Sequence, residues 1–204
     1  MHPTPSLVAT VDRRPPSGRS RPARALAMLA ALLWLVVAGT GAWADTIPLR
    51  AAELKAEEDG YVLNAEFDVT INPTLEEALQ KGIPLYFVLE FELSRPRWYW
   101  LDEKVIASST VYRVAWDALT RSYRVSSGLL RLNFNTFDEV QRFLSRVTGR
   151  QVARRDQLTP GARYEAAVRL FLDVNQLPKP LQVNALTSRE WTLQSDWHRW
   201  SYTP

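Results

Sequence analysis

Two carboxylates in the most apolar stretch of the chain are the best candidates for acid and base catalysis. Glu90 and Glu92 lie two residues apart within the segment 84–101, which is rich in Leu, Phe and Tyr. In a β-strand such residues share a face, which brings their side chains close enough to act as an acid and a base. The same alternation is typical of a strand that buries its leucines and phenylalanines and exposes its glutamates, and we favour that interpretation.

Other kinds of catalytic site find little support in the residue types. His198 is the only histidine after His2, so a histidine metal cluster or a Ser-His-Asp triad would depend on it alone. It lies between Trp197 and Trp200, which is typical of an amphipathic tail. The absence of cysteine excludes disulfides, thiolate catalysis and thiolate metal ligands. No glycine lies within a phosphate-binding motif. We therefore predict no catalytic residue, no metal site and no cofactor.

A run of arginines and aromatic residues after the apolar stretch is the candidate partner surface. Pro96 interrupts regular strand pairing, since proline has no N–H to donate. In an extended chain Trp98 and Trp100 face one way, and Arg97 and Tyr99 face the other. These residue types are enriched at binding hot spots. The predicted surface, called the 95–100 surface below, consists of Arg95, Arg97, Trp98, Tyr99 and Trp100. A corner packed on both faces is the alternative.

A second basic concentration follows later in the chain and consists of Arg142, Arg146, Arg150, Arg154 and Arg155. Near a membrane such a patch would attract anionic lipid. Asp138, Glu139 and Asp156 dilute it, so a solvated helix face is the favoured interpretation.

The first 44 residues have the pattern of an export signal. Five arginines precede an uncharged run from 25 to 38, and Ala42-Trp43-Ala44 forms a small-residue cleavage site before Asp45. Arg13-Arg14 lie far from the apolar run, which favours the general secretory route over the twin-arginine route. An uncleaved membrane anchor is the alternative, because twenty uncharged residues approach the length of a membrane span. Either way we expect periplasmic exposure of residues 45–204.

Removing this leader changes the charge balance. Of 25 basic and 22 acidic residues, the leader holds five and one, which leaves 20 basic and 21 acidic residues. A nearly neutral exported part argues against nucleic-acid binding. Its 160 residues suffice for one domain with a substantial core.

The pattern of the exported part predicts mostly β-structure. Leu85, Phe87, Leu89 and Phe91 alternate with more polar residues and predict a central strand. Asp59-Gly60 indicates a hairpin turn in which both residues have positive φ. Capping boxes at Thr74/Glu77 and Thr136/Glu139 predict a two-turn helix and a longer helix that extends to Val147.

The remaining segments give a meander and a strand-rich end. Strands are predicted at 105–116, 122–125, 130–134, 164–172 and 190–194, with a polar loop at 148–161. Asp173 anchors a rigid bend that continues through 175–180, and an aromatic tail closes the chain. Our prediction is a mainly β, immunoglobulin-like antiparallel β-sandwich with two short helices. An α+β open sheet with one covering helix is the alternative.

Several of these motifs together resemble a family of exported Gram-negative bacterial proteins, domain of unknown function four-three-nine-zero, also labelled proline-rich signal peptide protein. The resemblance covers residues 45–204 and rests on the segments 76–79, 81–84, 97–100, 168–173 and 177–180 and on the closing tryptophans. It implies an envelope location and a gene neighbourhood beside a membrane histidine kinase. It brings no catalytic residues.

The function that these observations favour is a non-enzymatic, protein-binding envelope protein, for which the resemblance implies a link to a membrane histidine kinase. A lipid- or polymer-binding periplasmic module is the second interpretation, and a hydrolase is a distant third. The partner would be an envelope or inner-membrane protein, with no nucleic acid, and an uncleaved leader would add a membrane contact.

Overall fold

The computed structural model describes residues 45–204 apart from Trp98, Trp100 and Leu101. The predicted leader therefore lies outside the described residues. The described part is mainly β, with 52% of its residues in strands, arranged in two sheets with three helices. This confirms the predicted class. No helix among the described residues is long and apolar enough to cross a membrane.

The elements follow one another in a strand-rich order. The strands are β1 Asp45–Thr46, β2 Leu49–Glu57, β3 Gly60–Phe67, β4 Leu85–Arg95, β5 Glu103–Asp117, β6 Ser122–Ser127, β7 Leu130–Phe134, β8 Arg146–Arg154, β9 Tyr164–Leu172, β10 Leu193–Gln194 and β11 His198–Tyr202. The helices are α1 Pro73–Gln80, α2 Phe137–Ser145 and α3 Lys179–Thr187.

The larger sheet contains eight strands in the order β1-β10-β9-β4-β5-β6-β7, with β11 also paired to β9. Its neighbours are antiparallel except for β1 and β10, which run parallel. Strand β4 pairs with β5 on one side and with β9 on the other. The prediction that the 84–101 segment supplies the central strand is therefore confirmed.

Alternation along β4 explains why it holds this position. Leu85, Phe87, Leu89, Phe91 and Leu93 are at most 2% exposed, whereas Tyr86, Glu90, Glu92 and Ser94 are half-buried. The buried set faces the core and the other set lies on the opposite face, which we call the outer face of the large sheet.

One hydrophobic core joins the two sheets. The smaller sheet has the order β2-β3-β8, and β3 contributes Leu63, Ala65 and Phe67 to the same cluster as the buried residues of β4 and β9. The strands divide eight to three between the sheets. An immunoglobulin-like sandwich divides its strands more evenly, and that specific arrangement is not confirmed.

Local signals set the helix starts. Thr136 caps α2 by accepting a hydrogen bond from the Glu139 N–H at 3.3 Å, and the Glu139 carboxylate accepts from the Thr136 N–H at 3.3 Å. This capping box was predicted and is confirmed. Helix α1 begins earlier than predicted, because Asn72 is its cap and accepts from the Leu75 N–H at 3.1 Å. Thr74 instead donates to Glu190 at 3.2 Å.

Three segments depart from their predicted structures. The first half of the predicted loop at 148–161, residues 148–154, belongs to β8, which also includes Val147 and pairs with β3. After the bend at Asp173, the chain forms α3, which was not predicted. The aromatic tail is strand β11 on the edge of β9. In each case a tertiary pairing or packing partner stabilises a segment whose own pattern is weak.

The hairpin between β2 and β3 is confirmed, but its turn chemistry differs from the prediction. The turn residues are Glu58 and Asp59, since Glu57 pairs with Gly60. Arg121 is the one non-glycine residue of the described part with positive φ, so Asp59 does not have it. Gly60 is needed for a different reason: a Cβ there would lie 2.2 Å from the Ala153 carbonyl oxygen.

Candidate interaction surface

The loop between β4 and β5, residues 96–102, carries most of the 95–100 surface. Pro96 and Arg97 are exposed, and the Tyr99 side chain is 64% exposed. Trp98 and Trp100 lie outside the described residues. That the two tryptophans face one way, and Arg97 and Tyr99 the other, therefore stays a prediction.

Two contacts of Arg97 hold the base of this loop. The backbone N–H of Arg97 donates to the Asp102 carboxylate at 3.3 Å. The Arg97 guanidinium forms an ion pair with Glu103, the first residue of β5. The loop is thereby tied across its own ends, and Tyr99 lies at the turn between them.

Arg95 differs from the rest of the predicted surface. It is the last residue of β4 and is half-buried. Its guanidinium carbon lies 5.6 Å from the centre of the Tyr164 ring, which is a cation–π distance. Since Tyr164 belongs to the core, Arg95 anchors the loop to the domain.

The two candidate carboxylates lie on the outer face of the large sheet, and each contacts a cation. The Glu90 carboxylate accepts from the Arg169 guanidinium at 2.7 Å, and Glu92 pairs with Lys104 at 2.6 Å. They line a shallow cavity of about 120 Å³ together with Ala107 and Ser109. Because each carboxylate is held by its own cation, the arrangement is that of two cross-strand ion pairs.

The outer face also carries a stacked group that the sequence did not indicate. The Arg169 guanidinium carbon lies 4.7 Å from the centre of the Phe171 ring and 4.6 Å from that of the Trp197 ring. Arg199 approaches the same Trp197 ring at 6.0 Å and pairs with Glu165 at 3.1 Å. In the sequence, the one sign of this group was that Arg169 alternates with apolar residues along a predicted strand.

His198 lies at the start of β11 and is exposed, with its ring 5.7 Å from that of Trp200. Nearby Ser195 is buried and accepts a hydrogen bond from the Leu170 N–H at 2.9 Å, which is a structural role. Within the part of the chain that the structure describes, no group of three acidic or histidine side chains is arranged to hold a metal ion.

The later arginines do not share one helix face, which corrects that prediction. Arg142 lies in α2, whereas Arg146, Arg150 and Arg154 belong to β8. Arg142 and Arg146 line a polar cavity of about 230 Å³ with Arg50, Glu66 and Asp68. Asp68 pairs with Arg50 at 2.6 Å and Glu66 approaches Arg146 at 4.0 Å, so acids partly neutralise this cavity.

A wider groove of about 510 Å³ runs over the small sheet. Glu53 and Lys55 of β2, Asn64 of β3, and Val147 and Thr148 of β8 contribute to its lining. The Asn64 side chain shapes it, because its oxygen accepts from the Gly149 N–H at 2.8 Å and its nitrogen donates to Glu53 at 3.1 Å. Asn64 thus bridges the irregular pairing of β3 with β8.

Comparison with known proteins adds a family to these features. No curated protein and no solved structure matches this chain. The model of one family matches residues 44–201, and the chain belongs to that family, which is described as Domain of unknown function (DUF4390).

Proposed function

We propose that this chain is a non-enzymatic, periplasmic protein of the cell envelope that works as a protein-interaction module. Its partner is an envelope or inner-membrane protein, and the exported sensor region of a membrane histidine kinase is the first candidate to test.

The exposed, anchored loop 96–102 is the observation that carries this proposal. Tyr99 and Arg97 are of the types that supply most binding energy at protein interfaces. Arg97 ties the loop to Asp102 and Glu103, and Arg95 stacks on Tyr164. A loop fixed before binding loses less conformational entropy when a partner docks.

The ion-pair contacts of Glu90 and Glu92 support a role without catalysis. An acid and a base that act together must be free to exchange a proton with a substrate. Glu90 and Glu92 instead face Arg169 and Lys104, at 2.7 and 2.6 Å.

Replacing Arg97 and Tyr99 together by Ala tests the proposal. We expect capture of the native partner from solubilised envelopes to weaken more than tenfold, which corresponds to about 1.4 kcal/mol. The melting temperature should stay nearly unchanged, because the lost ion pair is exposed and such pairs stabilise by at most about 1 kcal/mol.

A matched control lies on the hairpin between β6 and β7, where Leu129 is fully exposed and Arg131 is exposed. The Leu129→Ala/Arg131→Ala variant removes similar side chains and should capture the partner normally. A loop variant that melts many degrees lower would instead assign residues 96–102 to the core, and undiminished capture would place the binding surface elsewhere.

The groove over the small sheet favours a second candidate function, binding of a lipid or an envelope polymer. Its volume of about 510 Å³ lies within the range of ligand sites. A rise in melting temperature with added phospholipid micelles or soluble glycan would support this function, and it should be reduced by Asn64→Ala.

A further inference from the structure

The polar cavity beside the small sheet is lined by more positive than negative side chains. Arg50, Arg142 and Arg146 line it together with Glu66 and Asp68. These residues come from separate parts of the chain, since Arg50 belongs to β2, Glu66 to β3, Arg142 to α2 and Arg146 to β8. Three arginines against two acids leave a net charge of +1. The charge of the cavity therefore favours an anion as its ligand.

The acids of this cavity do not occupy all of its arginines. Asp68 pairs with Arg50 at 2.6 Å, whereas the Glu66 carboxylate lies 4.0 Å from the nearest nitrogen of Arg146, which is beyond hydrogen-bond distance. Among the described residues, none forms an ion pair or a hydrogen bond with the Arg142 guanidinium. The guanidinium groups of Arg142 and Arg146 are therefore available to a ligand. Arg50 is available in part, because a guanidinium has five N–H donors.

The hydroxyl group of Ser145 adds a further donor. Ser145 lines the same cavity, and its oxygen accepts a hydrogen bond from the Val69 N–H at 3.3 Å. No described residue accepts the proton of this hydroxyl, so the hydroxyl can donate it to a ligand. Ser145 is the last residue of α2, and the partial negative charge at that end of a helix repels an anion. An anion in the cavity would therefore be held by the side chains and not by the helix end.

The polar cavity is continuous with the groove over the small sheet, because Glu66 and Arg146 line both. Beyond these two residues the groove is lined by polar and apolar side chains, among them Ala51, Ala52 and Asn64. A ligand whose anionic group lies in the cavity can therefore extend past Arg146 into the groove. This arrangement suits a molecule with a charged head and a longer body.

We propose that the polar cavity binds a phosphate group, which accepts hydrogen bonds from Arg142, Arg146 and the Ser145 hydroxyl. Guanidinium groups match phosphate oxygens with paired N–H donors. Donors that come from several elements suit a tetrahedral phosphate better than a planar carboxylate. Binding lets Arg146 exchange its long contact with Glu66 for a direct contact with the ligand. The phosphate is either a free ion or the headgroup of a phospholipid, and the second source rests on the proposed binding of lipid in the groove.

Binding of inorganic phosphate to the purified protein tests this site. Calorimetric titration at constant ionic strength, with chloride as the comparison anion, should show saturable binding. Arg142→Gln should weaken it about tenfold, because a charge-assisted hydrogen bond is lost. Glu66→Gln should strengthen it, because a competing acid is removed. Arg150→Gln is the matched control and should bind normally, since Arg150 is an exposed arginine of β8 that lines neither the cavity nor the groove.

Two results of this titration would overturn the proposal. One is the absence of saturable phosphate binding, and the other is an equal loss of affinity in Arg142→Gln and Arg150→Gln, which would mean that phosphate responds only to the overall charge. The melting temperatures of both arginine variants should match that of the unmodified protein, because Arg142 and Arg150 are exposed.

Dihexanoyl-phosphatidylglycerol distinguishes the two sources of the phosphate group. A phospholipid ligand should bind more tightly than inorganic phosphate, and Asn64→Ala should weaken binding of the lipid alone. Equal affinities that do not respond to Asn64→Ala would identify free phosphate as the ligand and would remove lipid from the groove. Lipid binding that responds to Asn64→Ala but not to Arg142→Gln would refute the phosphate site and leave the function proposed for the groove intact.

Discussion

Ser195 and Leu170 exchange two hydrogen bonds at the point where the edge of the large sheet is interrupted. The Ser195 N–H donates to the Leu170 carbonyl oxygen at 2.8 Å, and the Leu170 N–H donates to the Ser195 hydroxyl oxygen at 2.9 Å. Ser195 lies between β10 and β11, which both pair with β9. Its hydroxyl replaces a backbone acceptor in the ladder, and the residue is 6% exposed.

Replacing Ser195 by Ala should therefore destabilise the domain. The Leu170 N–H would be left buried without its acceptor, which costs about 1–3 kcal/mol of unfolding free energy. Urea denaturation should show a lower midpoint with an unchanged slope. Ser201→Ala serves as the comparison, because Ser201 is exposed and its hydroxyl accepts a hydrogen bond from Arg163 at 3.3 Å. We expect it to change stability by less than about 0.5 kcal/mol, and equal effects of the two variants would contradict the assigned role of Ser195.

Gly60→Ala should be the most damaging glycine substitution among the five described glycines. The new Cβ would lie 2.2 Å from the Ala153 carbonyl oxygen, so β3 and β8 would have to separate, at a cost of about 3 kcal/mol. In Gly128→Ala no atom lies within 4 Å, and only the positive φ of 57° is unfavourable, which costs about 1–2 kcal/mol. Thermal unfolding of both variants measures the difference, and a Gly60→Ala variant as stable as Gly128→Ala would contradict the close approach.

Asp117 should make the domain sensitive to acid. Its carboxylate accepts from the backbone N–H groups of Thr120 at 3.2 Å and Leu119 at 3.0 Å, and these bonds hold its pKa below the ordinary 3.8. A carboxyl with a lowered pKa in the folded state stabilises the fold above its unfolded pKa. That stabilisation is lost as the pH falls through the folded pKa.

The measurement for Asp117 compares the unmodified protein with Asp117→Asn. We expect the unmodified protein to melt at a higher temperature at pH 7, and the difference to shrink as the pH falls below about 3.8. A difference that stays constant from pH 7 to pH 2 would show that the Asp117 charge does not contribute.

Export with cleavage after Ala44 predicts a mature chain that begins at Asp45. Strand β1 begins at that residue, and Asp45 pairs with Leu193, so this cut would leave the described sheet intact. Intact-mass analysis and N-terminal sequencing of the envelope fraction should find Asp45 first. Recovery of chains that retain residues 1–44 and require detergent would establish the anchor instead.

Local sequence patterns predicted the structure correctly where a segment's conformation depends mainly on its own residues. The alternation of Leu85, Phe87, Leu89 and Phe91 specified a strand with one buried face, and the Thr136/Glu139 pair specified the start of α2. The bend at Asp173 was equally local, since its carboxylate accepts from the Asn175 N–H at 3.0 Å. Each of these features needs contacts only within a few residues or a simple division between core and solvent.

Strand β8 and the candidate surfaces could be identified only from the tertiary structure. An edge strand that is mostly exposed has no apolar alternation to reveal it, so only pairing with β3 identifies Arg146–Arg154. The contact of Glu90 with Arg169 depends on the register between β4 and β9, across 79 residues of chain. Likewise, β6 pairs with only the last five residues of β5. The composition predicts strands but not which strands become neighbours in the sheet. The order of the strands depends on long-range packing around the shared core.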